Sequence, residues 1–95
     1  MTVIAAKKEK GKYIISAYGH AEGSKECCAA LSALSCALSG YLKNDRRVKT
    51  HESVLKSGEF KASFSGGRAK ALFDIFSFGF YQLCLSFPEY ISFEE

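Results

Sequence analysis

A histidine and a cysteine eight residues apart have the types and spacing needed for nucleophilic chemistry. His20 follows a run of β-branched and aromatic residues, and Cys28 falls in the first turn of a predicted helix. First-turn N–H groups lack partners within a helix, and the helix dipole places partial positive charge there. Both effects favour the thiolate, which is the nucleophilic form of cysteine. His20 is therefore a candidate general base and Cys28 a candidate nucleophile.

The second cysteine of the adjacent pair has a different predicted role. At 100° per residue, Cys27 falls on the same stripe as the leucines of this helix, which are Leu31, Leu34, Leu38 and Leu42. Cys28 instead shares a small polar face with Ser32, Ser35 and Ser39. We expect Cys27 in the core and Cys28 at a rim that solvent and substrate can reach. Small residues form a third face, suited to close approach by another element: Ala29, Ala33, Cys36, Ala37 and Gly40.

Two hairpins and two helices surround these residues in the predicted order. Alternating or β-branched segments predict strands at residues 2–8 and 12–19, then at 51–56 and 59–65. Ser24 is a predicted N-cap for a helix that ends near Leu42, and a second helix runs from Arg68 to about Phe87, just before a proline. A short edge strand is expected at 90–93. The fold class is α+β, with two helices packed on a mainly antiparallel sheet in the order ββαββα(β).

Length and composition narrow the function classes. Ninety-five residues have room for one domain, which we place at residues 1–95. The net charge is only +3 and no basic stripe is present, so we expect no nucleic-acid partner. No secretory signal or long apolar span is visible, which predicts no membrane partner. The four cysteines do not form a disulfide pattern, which favours a reducing cytoplasm.

Four motifs along the chain are similar to those of a known protease family. They are Gly-His-Ala at residues 19–21, Cys-Ala-Ala-Leu-Ser-Ala-Leu at 28–34, Phe-Gly-Phe-Tyr-Gln-Leu at 78–83 and Phe-Pro-Glu-Tyr-Ile at 87–91. Together with the order of the elements, they resemble the ribosomal-processing cysteine proteases, and the resemblance covers nearly the whole chain. It implies a homodimeric α+β cysteine endopeptidase that needs no cofactor or metal. His20 and Cys28 match the catalytic pair of that family.

The resemblance also implies a class of substrate. Members of the family trim an N-terminal extension from a large-subunit ribosomal protein in some bacteria, and phage-borne relatives process capsid or scaffold proteins. The expected partners are thus a protein substrate and a second copy of the chain.

The chain departs from the family pattern at two places. The loop between His20 and Cys28 is several residues shorter than usual, and Lys25 stands where an acidic residue is common. Glu26 and Glu22 are candidate substitutes as a carboxylate that orients the histidine. Glu26 also has a simpler role, since an acidic side chain in a first turn complements the helix dipole.

Three other functions fit some of the same residues. A non-catalytic relative could persist as a dimeric interaction module. A metal site from His20, Cys27, Cys28 and Cys36 is disfavoured, because adjacent helical cysteines diverge by about 100° and no C-x-x-C occurs. A redox role for the vicinal cysteines lacks that motif as well.

The second helix is apolar nearly all round, which bears on assembly. Its predicted core side carries Leu72, Ile75, Phe76, Leu83 and Phe87, with Gly79 where a neighbour can come close. Phe78, Tyr81 and Leu85 lie on the far side, where a 95-residue monomer has no second layer to cover them. We expect a homodimer through this outer face. The small-residue face of the first helix is the alternative surface.

Overall fold

The structure is a computed structural model that describes residues 1–94. The last residue of the domain predicted over residues 1–95 therefore lies outside the described part. The elements are β1 (Thr2–Glu9), β2 (Lys12–Tyr18), α1 (Lys25–Asn44), β3 (Lys49–Lys56), β4 (Glu59–Ser65), α2 (Ala69–Ser86) and β5 (Ile91–Glu94). No helix in the described range has the length and apolar character needed to cross a membrane.

The strands form one five-stranded sheet in the order β3-β4-β2-β1-β5. All neighbours are antiparallel except β1 and β5, which run parallel with Thr2 opposite Ile91. The predicted α+β class, the order of elements and the edge strand are confirmed. β2 is the central strand, and the candidate general base follows it directly.

One face of the sheet carries both helices and the core. The largest fully buried side chains come from strands and helices alike: Phe64, Phe80, Ile4, Ile15, Leu38, Ile91 and Cys27. Aromatic pairs join α2 to the sheet, since Phe60 stacks on Phe80 with ring centroids 6.1 Å apart and Tyr13 contacts Phe73 at 4.9 Å. Burial of such rings is the main stabilising contribution in a small core. It also makes a rigid base for the loop that follows β2.

Helix α1 begins at the predicted cap. The hydroxyl of Ser24 accepts a hydrogen bond from the Cys27 N–H at 3.1 Å, which satisfies one of the unpaired first-turn donors. The helix ends at Asn44, two residues beyond the predicted end, where the Asp45 N–H donates to the Tyr41 carbonyl at 3.1 Å. The cap fixes the first turn, and with it the backbone of the candidate nucleophile.

The faces of α1 have environments that the sequence did not specify. Ser35 and Ser39, which share the small polar face with the exposed Cys28, are buried at 5% and 3% exposure. α1 lies against the β3 side of the sheet, so this side of the helix faces the sheet instead of solvent. The small-residue face is mostly exposed, and within residues 1–94 no other element packs against it. Helix α2 packs instead along the Leu34 side of α1.

Helix α2 is rotated relative to the prediction. Ile75 was placed on the buried side but is 65% exposed, beside Phe78 at 64% and Leu85 at 57%. Gly79 does allow close approach, because a Cβ there would lie 3.1 Å from the Leu34 side chain. The buried residues of α2 are Ala69, Leu72 and Phe80, so the buried side of the helix is centred away from Ile75. The predicted exposure of Phe78 and Leu85 is confirmed.

Candidate active site

The position of His20 is set by the end of the central strand. Gly19 has φ +97°, a conformation that side chains rarely adopt, and a Cβ there would collide with the backbone carbonyl of Met1. The Gly19 N–H donates to the Gly58 carbonyl at 2.9 Å, which continues the β2–β4 pairing into the turn between β3 and β4. His20 therefore leaves the sheet beside that turn, with its side chain exposed.

The two adjacent cysteines have opposite environments, as predicted. Cys27 is fully buried, and burial, followed by the neighbouring Cys28, raises the pKa of its thiol. Cys28 is exposed, and its Sγ donates to the Ala21 carbonyl at 3.4 Å. The same carbonyl accepts the Ser24 N–H at 3.3 Å. The loop thus folds back on the helix start and brings Cys28 close to the residue that follows His20.

Two hollows meet at His20 and Cys28. One, of about 380 Å³, lies between α1 and the β3–β4 hairpin and includes Leu31, Leu55 and Phe60 among its lining residues. The other, of about 720 Å³, is lined mainly by residues 20–25. His20, Ala21 and Cys28 border both. A ligand in either hollow would therefore lie beside the thiol and the imidazole.

Some expected contacts are not formed. Within residues 1–94, no hydrogen bond joins His20 to Cys28, whose thiol donates to the Ala21 carbonyl instead. Glu22 borders the second hollow and Glu26 is exposed in the first turn of α1. In the described chain neither carboxylate forms a hydrogen bond or an ion pair, so an orienting role for either stays a prediction.

The sequence did not reveal that the β3–β4 turn belongs to the site. Ser57 and Gly58 line the first hollow together with Leu55 and Phe60. The Ser-Gly pair predicts a turn, but only the β2–β4 register, with Tyr18 opposite Glu59, brings that turn beside His20. Pairing between distant strands leaves no local signal in the sequence.

Three other side chains carry reactive groups: Cys36, Cys84 and His51. Cys36 borders the first hollow and Cys84 is half-buried, donating from its Sγ to the Ile91 carbonyl at 3.5 Å. His51, on the edge strand β3, is exposed and lies 2.8 Å from the Ser65 hydroxyl. Desolvation of the ring, followed by the charges of Lys12 and Lys49, lowers the pKa of His51. Over the described residues, no three histidine, cysteine or acidic side chains come together as a metal site would require.

The fold is that of a known protease. The ribosomal processing protease Prp from S. aureus, whose crystal structure holds a covalently linked product peptide, superposes with a TM-score of 0.79. The alignment covers 99% of this chain and 98% of that chain, with 15% sequence identity. No family model matches the sequence, and no curated protein matches it. At this identity the similarity shows a shared fold, and it is the fold that the sequence motifs predicted.

Proposed function

We propose that the chain is a cysteine endopeptidase in which Cys28 is the nucleophile and His20 the general base. The observation that carries the proposal is that these two side chains border both hollows at the start of α1. The shared fold with Prp gives independent support, because that protein is a protease whose structure holds a covalently linked product peptide.

The proposed chemistry uses only groups of this chain and water. His20 accepts the thiol proton, and the Cys28 Sγ forms a bond to the carbonyl carbon of the scissile peptide. Unpaired N–H groups of the first turn can donate to the developing oxyanion. When the C–N bond breaks, the imidazolium returns its proton to the leaving amine and a thioester remains. His20 then takes a proton from water, whose oxygen attacks the thioester and releases Cys28.

The proposed substrate is a protein with a removable N-terminal extension. The motif resemblance favours the precursor of a large-subunit ribosomal protein, and a phage structural protein if the gene is phage-borne. Prp, which has the same fold, is a ribosomal processing protease. We propose a reducing cytoplasm as the compartment, since a thiol nucleophile must stay unoxidised.

The test is direct cleavage. The purified chain is incubated with candidate ribosomal and capsid precursors, and mass spectrometry identifies the products and the bond that is cut. Cys28→Ser should abolish cleavage, and His20→Ala should lower the rate by about 10²-fold or more. Cleavage that survives Cys28→Ser would contradict the proposal.

We also propose that two copies of the chain associate. Four large apolar side chains on the outer side of α2 are exposed by 45–65%, and together they form the outer α2 patch: Ile75, Phe78, Tyr81 and Leu85. A contiguous apolar surface of this kind favours association, and a second copy carries the same surface. This face remains our preferred dimer surface over the small-residue face of α1.

A second candidate is a catalytically altered relative that acts as a dimeric interaction module. This function is favoured by the hydrogen bond of the Cys28 thiol, which goes to the Ala21 carbonyl and not to His20. The presence of Lys25, where the family pattern has an acid, points the same way. Thiol titration separates the two functions, since an unreactive Cys28 with an ordinary pKa would favour the module.

A further inference from the structure

The imidazole of His20 lies against a glycine in the turn between β3 and β4. A Cβ built on Gly58 would be 2.6 Å from His20 Nε2 and 3.0 Å from its Cε1. Ordinary contacts between such atoms are about 3.5 Å. Any side chain at position 58 would therefore occupy the space that the ring occupies now.

The turn itself has little freedom to move away. Gly58 accepts the Gly19 N–H at 2.9 Å through its carbonyl, so the turn is tied to the residue before His20. Lys56 and Glu59, which flank the turn, are opposite each other in the strand register and form an ion pair of 3.3 Å. A steric conflict at position 58 must then be relieved mainly by the imidazole, which is exposed and can rotate.

We propose that Gly58 is a positioning residue for His20, resting on the dyad assigned under the proposed function. The missing side chain leaves a slot between the turn and the loop after β2, and this slot holds the imidazole on the side of the shared hollows where Cys28 lies. Filling the slot displaces the ring from the thiol and leaves the fold in place. Position 58 thus sets the rate at which His20 can draw the proton from Cys28.

The chain offers a matched control in its other hairpin. Gly11 has φ +79° and Gly58 has φ +75°, so alanine meets the same unfavourable backbone conformation at both positions. No atom lies within 4 Å of a Cβ on Gly11, whereas the imidazole meets a Cβ on Gly58. Comparing Gly58→Ala with Gly11→Ala therefore separates the loss of the slot from the strain of the turn.

The experiment measures alkylation of Cys28 by iodoacetamide across pH. Tryptic peptides are sequenced by mass spectrometry, because fragment ions distinguish Cys28 from the buried Cys27 beside it. Both glycine variants should show similar falls in melting temperature. At pH 7 Gly58→Ala should alkylate Cys28 at least about threefold more slowly than Gly11→Ala, with a profile close to that of His20→Ala. An equal or faster rate in Gly58→Ala would overturn the proposal.

A second measurement tests the position of the His20 ring independently of the reactivity of Cys28. In the unmutated protein, NMR should show a nuclear Overhauser contact between the His20 ring protons and the Gly58 α-protons, with His51 as internal reference. Absence of that contact would refute the slot. A contact that is present, in a protein where His20→Ala leaves alkylation unchanged, would overturn the dyad of the proposed function and not the slot.

Discussion

At the residue scale, one position along a helix separates a core thiol from an accessible one. Cys27 and Cys28 differ by about 100° around α1, so the first is fully buried and the second exposed. This difference follows from the spacing of the leucines, which is why the sequence alone predicted it. The direction in which the Cys28 thiol points was not predictable, because it depends on a loop carbonyl, that of Ala21.

Substituting each cysteine by serine should separate the two roles. Cys28→Ser should remove peptide cleavage and change the free energy of unfolding by less than about 0.5 kcal/mol, since the side chain is exposed. Cys27→Ser should lower the free energy of unfolding by about 1–3 kcal/mol, because a hydroxyl without a partner replaces a buried thiol. Urea denaturation and a peptide cleavage assay measure the two effects. Loss of cleavage in Cys27→Ser without destabilisation, and retained cleavage in Cys28→Ser, would reverse the assignment.

At the scale of elements, local patterns predicted what each segment becomes, and non-local packing decided which way it faces. The hairpins and both helices follow from alternation, helical periodicity, the Ser24 cap and a proline stop. Ile75 was misplaced because the rotation of α2 about its axis depends on how Phe73 and Phe80 pack against the sheet. The contact of the β3–β4 turn with His20 was missed for a related reason, since it depends on strand register. Sequence patterns therefore indicated the candidate residues but not the elements that enclose them.

The end of α1 supplies a pH-dependent stabilisation. Hydrogen bonds from the Arg47 side chain, then from the Tyr41 hydroxyl, hold the pKa of Asp45 well below its usual range. A carboxylate with a lowered folded-state pKa stabilises the fold above its unfolded pKa of about 3.9, and this contribution is lost as the pH falls below it. Asp45→Asn should thus lower the melting temperature at pH 7 and make progressively less difference below about pH 4.

The control for this variant is an exposed carboxylate on the other helix. Asp74 pairs with Lys70 at 2.7 Å, but both side chains are more than half exposed. Asp74→Asn should change stability by no more than about 0.5 kcal/mol. Melting curves for both variants between pH 7 and about pH 3 make the comparison. An effect of Asp45→Asn that is equally large at both ends of this range would show that its carboxylate charge is not what stabilises the turn.

At the scale of the whole molecule, both helices cover one side of the sheet, and nothing in the described chain covers the outer side of α2. The outer α2 patch is therefore left in water. Tyr81 is partly held by an edge-on contact with Phe93 at 5.6 Å, but the rest of the patch projects from the helix. A second copy of the chain is the simplest partner for the patch, because every chain carries the same patch.

Sedimentation equilibrium at micromolar concentration should therefore give twice the chain mass of 10.4 kDa. Tyr81→Glu combined with Leu85→Glu should return the protein to the monomer mass, because two carboxylates cannot be buried in an apolar contact without partners. Tyr18→Glu is the matched control, since Tyr18 is 43% exposed but lies on β2, away from the patch. A monomer in the unmutated protein, or dissociation by Tyr18→Glu alone, would exclude this interface.

The parallel pairing of β1 with β5 also constrains how the chain folds. Thr2 aligns with Ile91, and the Thr2 N–H donates to the Tyr90 carbonyl at 2.9 Å. The two hairpins can close on contacts between near neighbours, but this pairing joins opposite ends of the described chain, and such high contact order slows folding. The carbonyl of Met1 that packs against Gly19 sits beside the same junction. During synthesis β1, which borders the strand leading into His20, would thus keep one edge unpaired until residues 90–94 have emerged. Removing those residues should leave the β3–β4 hairpin protected from hydrogen exchange and should deprotect β1 first.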